Sequence, residues 1–249
     1  GYNDFGFMGS KEMQTPNIDA LTSEGVVFTD AHVAATVSSP SRACLITGRY
    51  GHRFGYECNL SDRTNGLPLE EETIAEVFKT NGYRTAAIGK WHLGSRDEQH
   101  PNNRGFDLFF GMKAGGRDYF YNEKKSDRPG DERNLLLNDR QVKFEKYLTD
   151  AFSEKAVEFI NESSQPFMMY LAYNAVHTPM QATDEDMAKF EGHPRQKLAA
   201  MTYALDRGVG TVIRGLKDSG KFDNTLIFFL SDNGGATTNQ SSKYHYYVT

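Results

Sequence analysis

The sequence predicts an α/β fold, a mostly parallel sheet sandwiched by helices. Three observations carry that expectation. Continuous apolar runs alternate with amphipathic helical stretches along the chain. The runs lack the in-out alternation of strands with one wet face, so they suit a sheet covered on both sides. The residues just past each run are charged, metal-binding or proton-transferring types, and in such sheets ligands gather outside the carboxyl ends of the strands.

The first element is a helix at Thr15-Pro16-Asn17-Ile18-Asp19-Ala20-Leu21, with Thr15 as its cap and Pro16 at the first helical position. Gly25 ends it, and Val26-Val27-Phe28 follows as a β-rich run. Leu69 to Lys79 reads as an amphipathic helix turning Ile74, Val77 and Phe78 to one face, with Gly82 past its end. Tyr83 to Gly89 is then a strand, which makes a β–α–β rhythm. From Arg96 to Leu137 the chain is polar and rich in Gly, Asn and Asp. That stretch reads as a long surface excursion with short elements. Leu148 to Ile160 is helical on the spacing of Phe152, Ala156, Phe159 and Ile160. Pro166 introduces a buried strand, Phe167-Met168-Met169-Tyr170-Leu171. Leu198, Met201, Leu205, Val209, Val212 and Leu216 recur at helical spacing. Asn224-Thr225 leads into a last buried strand, Leu226-Ile227-Phe228-Phe229-Leu230, ending at Ser231-Asp232.

At 249 residues the chain can hold one large domain or two small ones with a real core. A net charge of −5 without a basic cluster argues against nucleic acid as a partner, since counterion release needs a basic surface. No apolar run approaches the roughly 20 residues of a membrane span. Cys44 and Cys58 are too few for a disulfide framework or a cysteine metal site, and a single disulfide stays open.

The chemistry gathers at the strand ends. After the first run comes Ser38-Ser39-Pro40-Ser41-Arg42, continuing to Thr47-Gly48. Pro40 suits the first turn of a helix, so Ser38 would feel the positive helix end and its free N–H groups, with Arg42 one turn on to hold an anion. Taken alone, this segment reads as a plain helix cap. Lys90 and His92 flank Trp91, so in an extended segment they point the same way, toward an anion and a proton transfer. His177-Thr178-Pro179 follows the next strand, and a lone histidine is usually structural. Asp232 and Asn233 offer two hard oxygen ligands of the kind calcium or magnesium takes, although Asp-Asn-Gly-Gly by itself is more often a turn. His52, Arg53, Asn59, Arg117, Asp118 and His193 could line a substrate pocket, though nothing in the sequence separates them from ordinary surface residues.

Together these segments resemble the type I sulfatase family of the alkaline-phosphatase superfamily. The family signature runs Cys or Ser, any residue, Pro, Ser, Arg, then Thr-Gly, and Ser38 to Gly48 matches it throughout. Gly89-Lys90-Trp91-His92-Leu93-Gly94 looks like the second signature, and Pro101 to Asp107 is similar to a segment of bacterial carbohydrate sulfatases. The resemblance implies an alkaline-phosphatase/sulfatase-like fold over residues 1–249 as an N-terminal catalytic domain, incomplete at both ends, lacking the family's first strand and C-terminal subdomain. It implies a sulfuric-ester hydrolase acting on a sulfated carbohydrate. Ser38 would be oxidised by a formylglycine-generating maturase to Cα-formylglycine, whose hydrate carries one hydroxyl to attack sulfur and one to let sulfate leave.

By position, Arg42 would stabilise that group, Lys90 would bind it and the sulfate, His92 would take a proton from it, and His177 would protonate the leaving alcohol. Asp232 and Asn233 match two ligands of a single Ca2+ ion, whose other aspartates precede Gly1. Lys243 does not sit in matching surroundings for the family's further lysine, and no role is carried over to it. A serine at position 38 resembles the bacterial enzymes, which implies a periplasmic or secreted setting. Two other readings remain open: a phosphatase or phosphodiesterase of the same superfamily with Ser38 acting directly, and a non-catalytic sulfated-glycan binder.

Overall fold

The computed structural model describes residues 3–59 and 66–235; Lys243 lies outside them. Its centre is a five-stranded sheet in the order β4-β3-β2-β1-β5. The strands are β1 (Arg84–Lys90), β2 (Leu108–Met112), β3 (Leu136–Leu137), β4 (Arg140–Gln141) and β5 (Phe167–Ala172). β1 runs parallel to both β2 and β5, and the two-residue strands β3 and β4 add an antiparallel edge. The expected mostly parallel α/β architecture is therefore present.

Alternation along β1 and β2 divides the core in two. Ala86, Ile88, Phe110 and Met112 face one side, where Phe152, Ala156, Phe159 and Ile160 of helix α4 (Leu148–Glu162) and Leu198, Met201, Val212 and Leu216 of helix α6 (Gln196–Asp218) cover them. Ala87, Trp91 and Phe109 face the other side, against Ala43 and Ile46 of helix α2 (Ser38–Thr47) and Ala75 of helix α3 (Ile74–Thr80). Helix α1 (Pro16–Ser23) packs on α6, and α5 (Asp184–Ala188) is a short turn beside it.

Four readings need correction. Val26-Val27-Phe28 and Leu226–Leu230 form no strand among the described residues, and Val26, Phe28, Leu226 and Phe228 are exposed. A strand is a property of a ladder, and neither run finds a partner there. The 96–137 excursion contains β2, the central neighbour of β1, whose five residues are too short and too glycine-bearing to stand out in a polar stretch. Helix α3 begins at Ile74 because Thr73 and Glu76 close a capping box in front of it, and Ala75 is its buried residue while Ile74 and Val77 face solvent. Thr15 holds the N-cap position of α1 with Pro16 first in the helix, as expected, but its side chain makes no cap bond. Its hydroxyl donates to Asp19 at 3.0 Å and accepts from Gly6 N at 2.8 Å, while the amides of Asn17 and Ile18 donate to the buried Asp206 of α6. The two cysteines are free thiols, Cys44 buried and Cys58 exposed.

Candidate active site

Three parallel strands end on one edge, and their exits bring the predicted residues together. β1 delivers Lys90 and, two residues later, His92; β5 leads through Ala172 to His177. Beyond the sheet the ladder continues for two bonds, from Trp91 N to Met112 O and from His92 N to Lys113 O, both 3.0 Å. His92 is not extended as expected. Its φ of 58° is the left-handed region, so it turns out of the strand after Trp91 has buried its ring and donated Nε1 to Gln99 O. Ser39 Oγ donates to His92 O at 2.7 Å, so this uncommon backbone is pinned at both ends.

The N-terminus of α2 faces the same edge. Ser38 is inside the helix, not its cap, since Val37 holds that position without a side-chain bond. The Ser38 hydroxyl is thereby left for other partners. It donates to Asp232 Oδ2 at 3.2 Å, accepts from Arg42 Nε at 3.2 Å and lies 3.4 Å from His92 Nδ1. Arg42, on the next turn of α2, is buried, and its fork is fully occupied. Nη1 donates to Lys90 O and to the Tyr170 hydroxyl, and Nη2 pairs with Asp232 Oδ2 at 2.8 Å. Ser41 Oγ donates to the Asp232 carbonyl. Four of the predicted residues thus converge on one oxygen position: Ser38, Arg42, His92 and Asp232.

Charge organises the rest. Burial, then the positive charges of Lys90 and Arg42, push His92 down to about 3, so its imidazole is neutral at neutral pH. His177 is also held below its ordinary value, by packing first and Lys90 second; Thr178 O, 2.8 Å from Nδ1, accepts its proton and opposes the shift. Arg42 and Lys90 keep the Asp232 carboxyl below the usual range against the penalty of burial. Lys90 and Arg42 thus act electrostatically on both histidines and on Asp232.

Sequence reasoning missed Tyr170, hidden inside an apolar strand run, and the support of α2 by Tyr56 and Asn59. The Tyr56 hydroxyl bonds Ser39 Oγ at 2.7 Å, and Asn59 Oδ1 accepts from Ser39 N. Arg117 and Asp118 do not line the site, being buried in a polar network behind it. The metal pair is brought to the site only in part. Asp232 spends Oδ2 on Arg42 and Ser38, and Asn233 donates Nδ2 to Gly234 O. Among the described residues no three His, Cys, Asp or Glu side chains form a metal cluster. Calcium takes six to eight oxygens, so this donor set alone does not fit it.

At one edge of a mostly parallel α/β sheet, the N-terminus of α2 and the exits of β1 and β5 thus gather serine, arginine, lysine and histidine side chains around Asp232. The sulfatase family profile matches residues 1–248, and the chain belongs to that family. It is 36% identical to the uncharacterized sulfatase YdeN of Escherichia coli K12, covering 90% of this chain and 43% of that protein. It is equally 36% identical to mouse arylsulfatase J, covering 96% of this chain and 41% of the relative. The crystal structure of Ps i-CgsB in complex with k-i-k-neocarrahexaose superposes with a TM-score of 0.89 at 43% identity, covering 98% of this chain and 58% of that one. The chain spans about half the length of the curated relatives it matches. No helix among the described residues is long and apolar enough to cross a membrane.

Proposed function

We propose that this chain carries the catalytic centre of a carbohydrate sulfatase that removes sulfate from a sulfated saccharide. The observation that supports it best is the Ser38 oxygen, held within 3.2–3.4 Å of a guanidinium, an imidazole and a carboxylate. That mixture of donors and acceptors suits a group with more than one oxygen at this position, and so Ser38 as precursor of Cα-formylglycine. When formed, the hydrated group supplies the oxygen that attacks sulfur and the hydroxyl through which sulfate departs.

The chain's own residues do the rest. Arg42 Nε holds an oxygen at the Ser38 position, and the buried Lys90 adds the positive charge that an approaching sulfate meets. His92, kept neutral, accepts a proton at Nδ1 from an oxygen on Ser38. His177 donates a proton to the leaving alcohol. Burial and then Lys90 lower its proton affinity, and the negative charge of a bound sulfate works in the opposite sense, so anion binding readies the acid. Asp232 orients Arg42. No step here passes through calcium.

The liganded Ps i-CgsB structure makes sulfated carrageenan-type oligosaccharides the first substrates to try. The test uses the full-length protein from a host that modifies Ser38. Sulfate release is expected from a sulfated oligosaccharide, together with a Ser38 peptide two hydrogens lighter than serine, and both are lost in Ser38→Ala. Turnover of phosphomonoesters by unmodified Ser38, or saccharide binding with no sulfate release by modified protein, would overturn the reading.

A further inference from the structure

The loop leaving β2 crosses the end of β1 and presents Ala114-Gly115-Gly116-Arg117 to both histidines. Neither glycine has a positive φ, so the backbone itself does not require glycine at either place. Space does. A Cβ on Gly115 would lie 2.7 Å from both Cε1 and Nε2 of His92. A Cβ on Gly116 would lie 3.0 Å from Nδ1 and 3.2 Å from Cε1 of His177. Two consecutive residues thus approach two different site histidines, one that follows β1 and one that follows β5.

The loop is fastened just past the glycines, in part to the backbone of the His177 segment. Arg117 pairs with Asp127 at 2.8 Å through both carboxylate oxygens, and both side chains are fully buried. Tyr119 donates its hydroxyl to Asn174 O and His177 O, at 2.7 and 2.9 Å. Gln181 ties the same loop to the His177 segment twice, accepting from Tyr119 N and donating to Asp118. A methyl on either glycine therefore meets a wall that cannot retreat, and the imidazole is the part that moves.

We propose that Gly115 and Gly116 are positioning residues, a side-chain-free wall that sets His92 and His177 separately at their working places. The proposal rests on the roles given above, in which the Nε2 proton of His177 passes to the alcohol oxygen as the S–O bond breaks, while His92 takes its proton from the group at Ser38. The two glycines then have different kinetic signatures. A sugar alkoxide needs the proton of His177; a nitrophenolate leaves without it. Proton removal by His92 serves both substrates alike.

The experiment compares Gly115→Ala and Gly116→Ala in the full-length, modified protein, on a sulfated oligosaccharide and on 4-nitrophenyl sulfate. Gly116→Ala should lower kcat about 100-fold on the saccharide and about threefold or less on the aryl sulfate, with KM nearly unchanged, the size expected for a displaced catalytic group. Gly115→Ala should lower kcat by a similar factor on both. Tyr119→Phe, which keeps the ring and removes the two bonds to the His177 segment, should repeat the Gly116→Ala pattern at smaller size and decides the matter if a glycine variant fails to fold. Equal losses on both substrates for Gly116→Ala and Tyr119→Phe, or unchanged kcat in all three variants, would overturn the proposal alone. A modified wild-type protein that releases sulfate from neither substrate would overturn it together with the functional reading.

Discussion

Arg42 is the residue on which the site turns. Its guanidinium is 5% exposed and holds the Ser38 hydroxyl, the Lys90 carbonyl, the Tyr170 hydroxyl and Asp232 at once. Arg42→Met should destabilise the protein by about 3 kcal/mol, because it leaves the half-buried Asp232 without its cation, and should abolish sulfate release. Urea unfolding and a sulfate assay check the two halves. His92 makes a second prediction, about pH. Its folded value is about 3 against an ordinary 6.5, so between those values the unfolded chain binds a proton that the folded protein refuses. Stability is therefore unaffected by this group above about 6.5 and falls as the pH drops from there toward 3. Denaturation midpoints at pH 7.5 and 4.5 should fall further in the wild type than in His92→Asn; parallel losses would show that His92 is not the group responsible.

At the scale of elements, the molecule ties local structures together through distant residues. The N-terminus of α1 is satisfied by Asp206, on a helix 188 residues away from Ile18 in the chain, which accepts from two backbone amides and from the Asn17 side chain. Asp206→Ala should cost about 2–3 kcal/mol, since charge-assisted bonds to buried amides are among the stronger ones. Thermal unfolding of the variant, expected well below that of the wild type, checks it. The same element scale explains why β1 ends so usefully. Gly89 has a φ of 108°, and a Cβ there would lie 2.0 Å from Ala172 O, so β1 and β5 close together just where Lys90 and His92 emerge. By contrast, the start of α3 is set locally, by the capping box of Thr73 and Glu76 in front of Ile74.

For the whole molecule, the 113–127 segment adds Tyr119 to the apolar layer beneath α4 and α6 and carries a fully buried ion pair, Arg117–Asp127. Breaking it by Asp127→Ala should cost about 3–5 kcal/mol by leaving a buried guanidinium unpaired, whereas replacing both partners, as in Arg117→Met with Asp127→Leu, should recover most of that. A double-mutant cycle of denaturation free energies measures the difference, and a double variant as unstable as the single one would sink the argument.

Read as a sequence, the chain already determined its class and much of its site. The helical spacing of Phe152, Ala156, Phe159 and Ile160 and the runs at β1 and β5 are local patterns, and all four named α4 residues are indeed buried. Ser38, Arg42, Lys90 and His92 were legible because they lie in two segments that resemble family signatures, and His177 because it follows the β5 run in the same order. Other features were beyond one dimension. Whether Leu226–Leu230 becomes a strand depends on a neighbour, and no apolar run carries its partner within itself. That Asp232 serves Arg42, that Asp206 caps α1, and that Gly115 and Gly116 make room for two imidazoles are all contacts between segments far apart in the chain. Periodicity records which face of an element is apolar; only packing in three dimensions decides which atoms are brought within reach of one another.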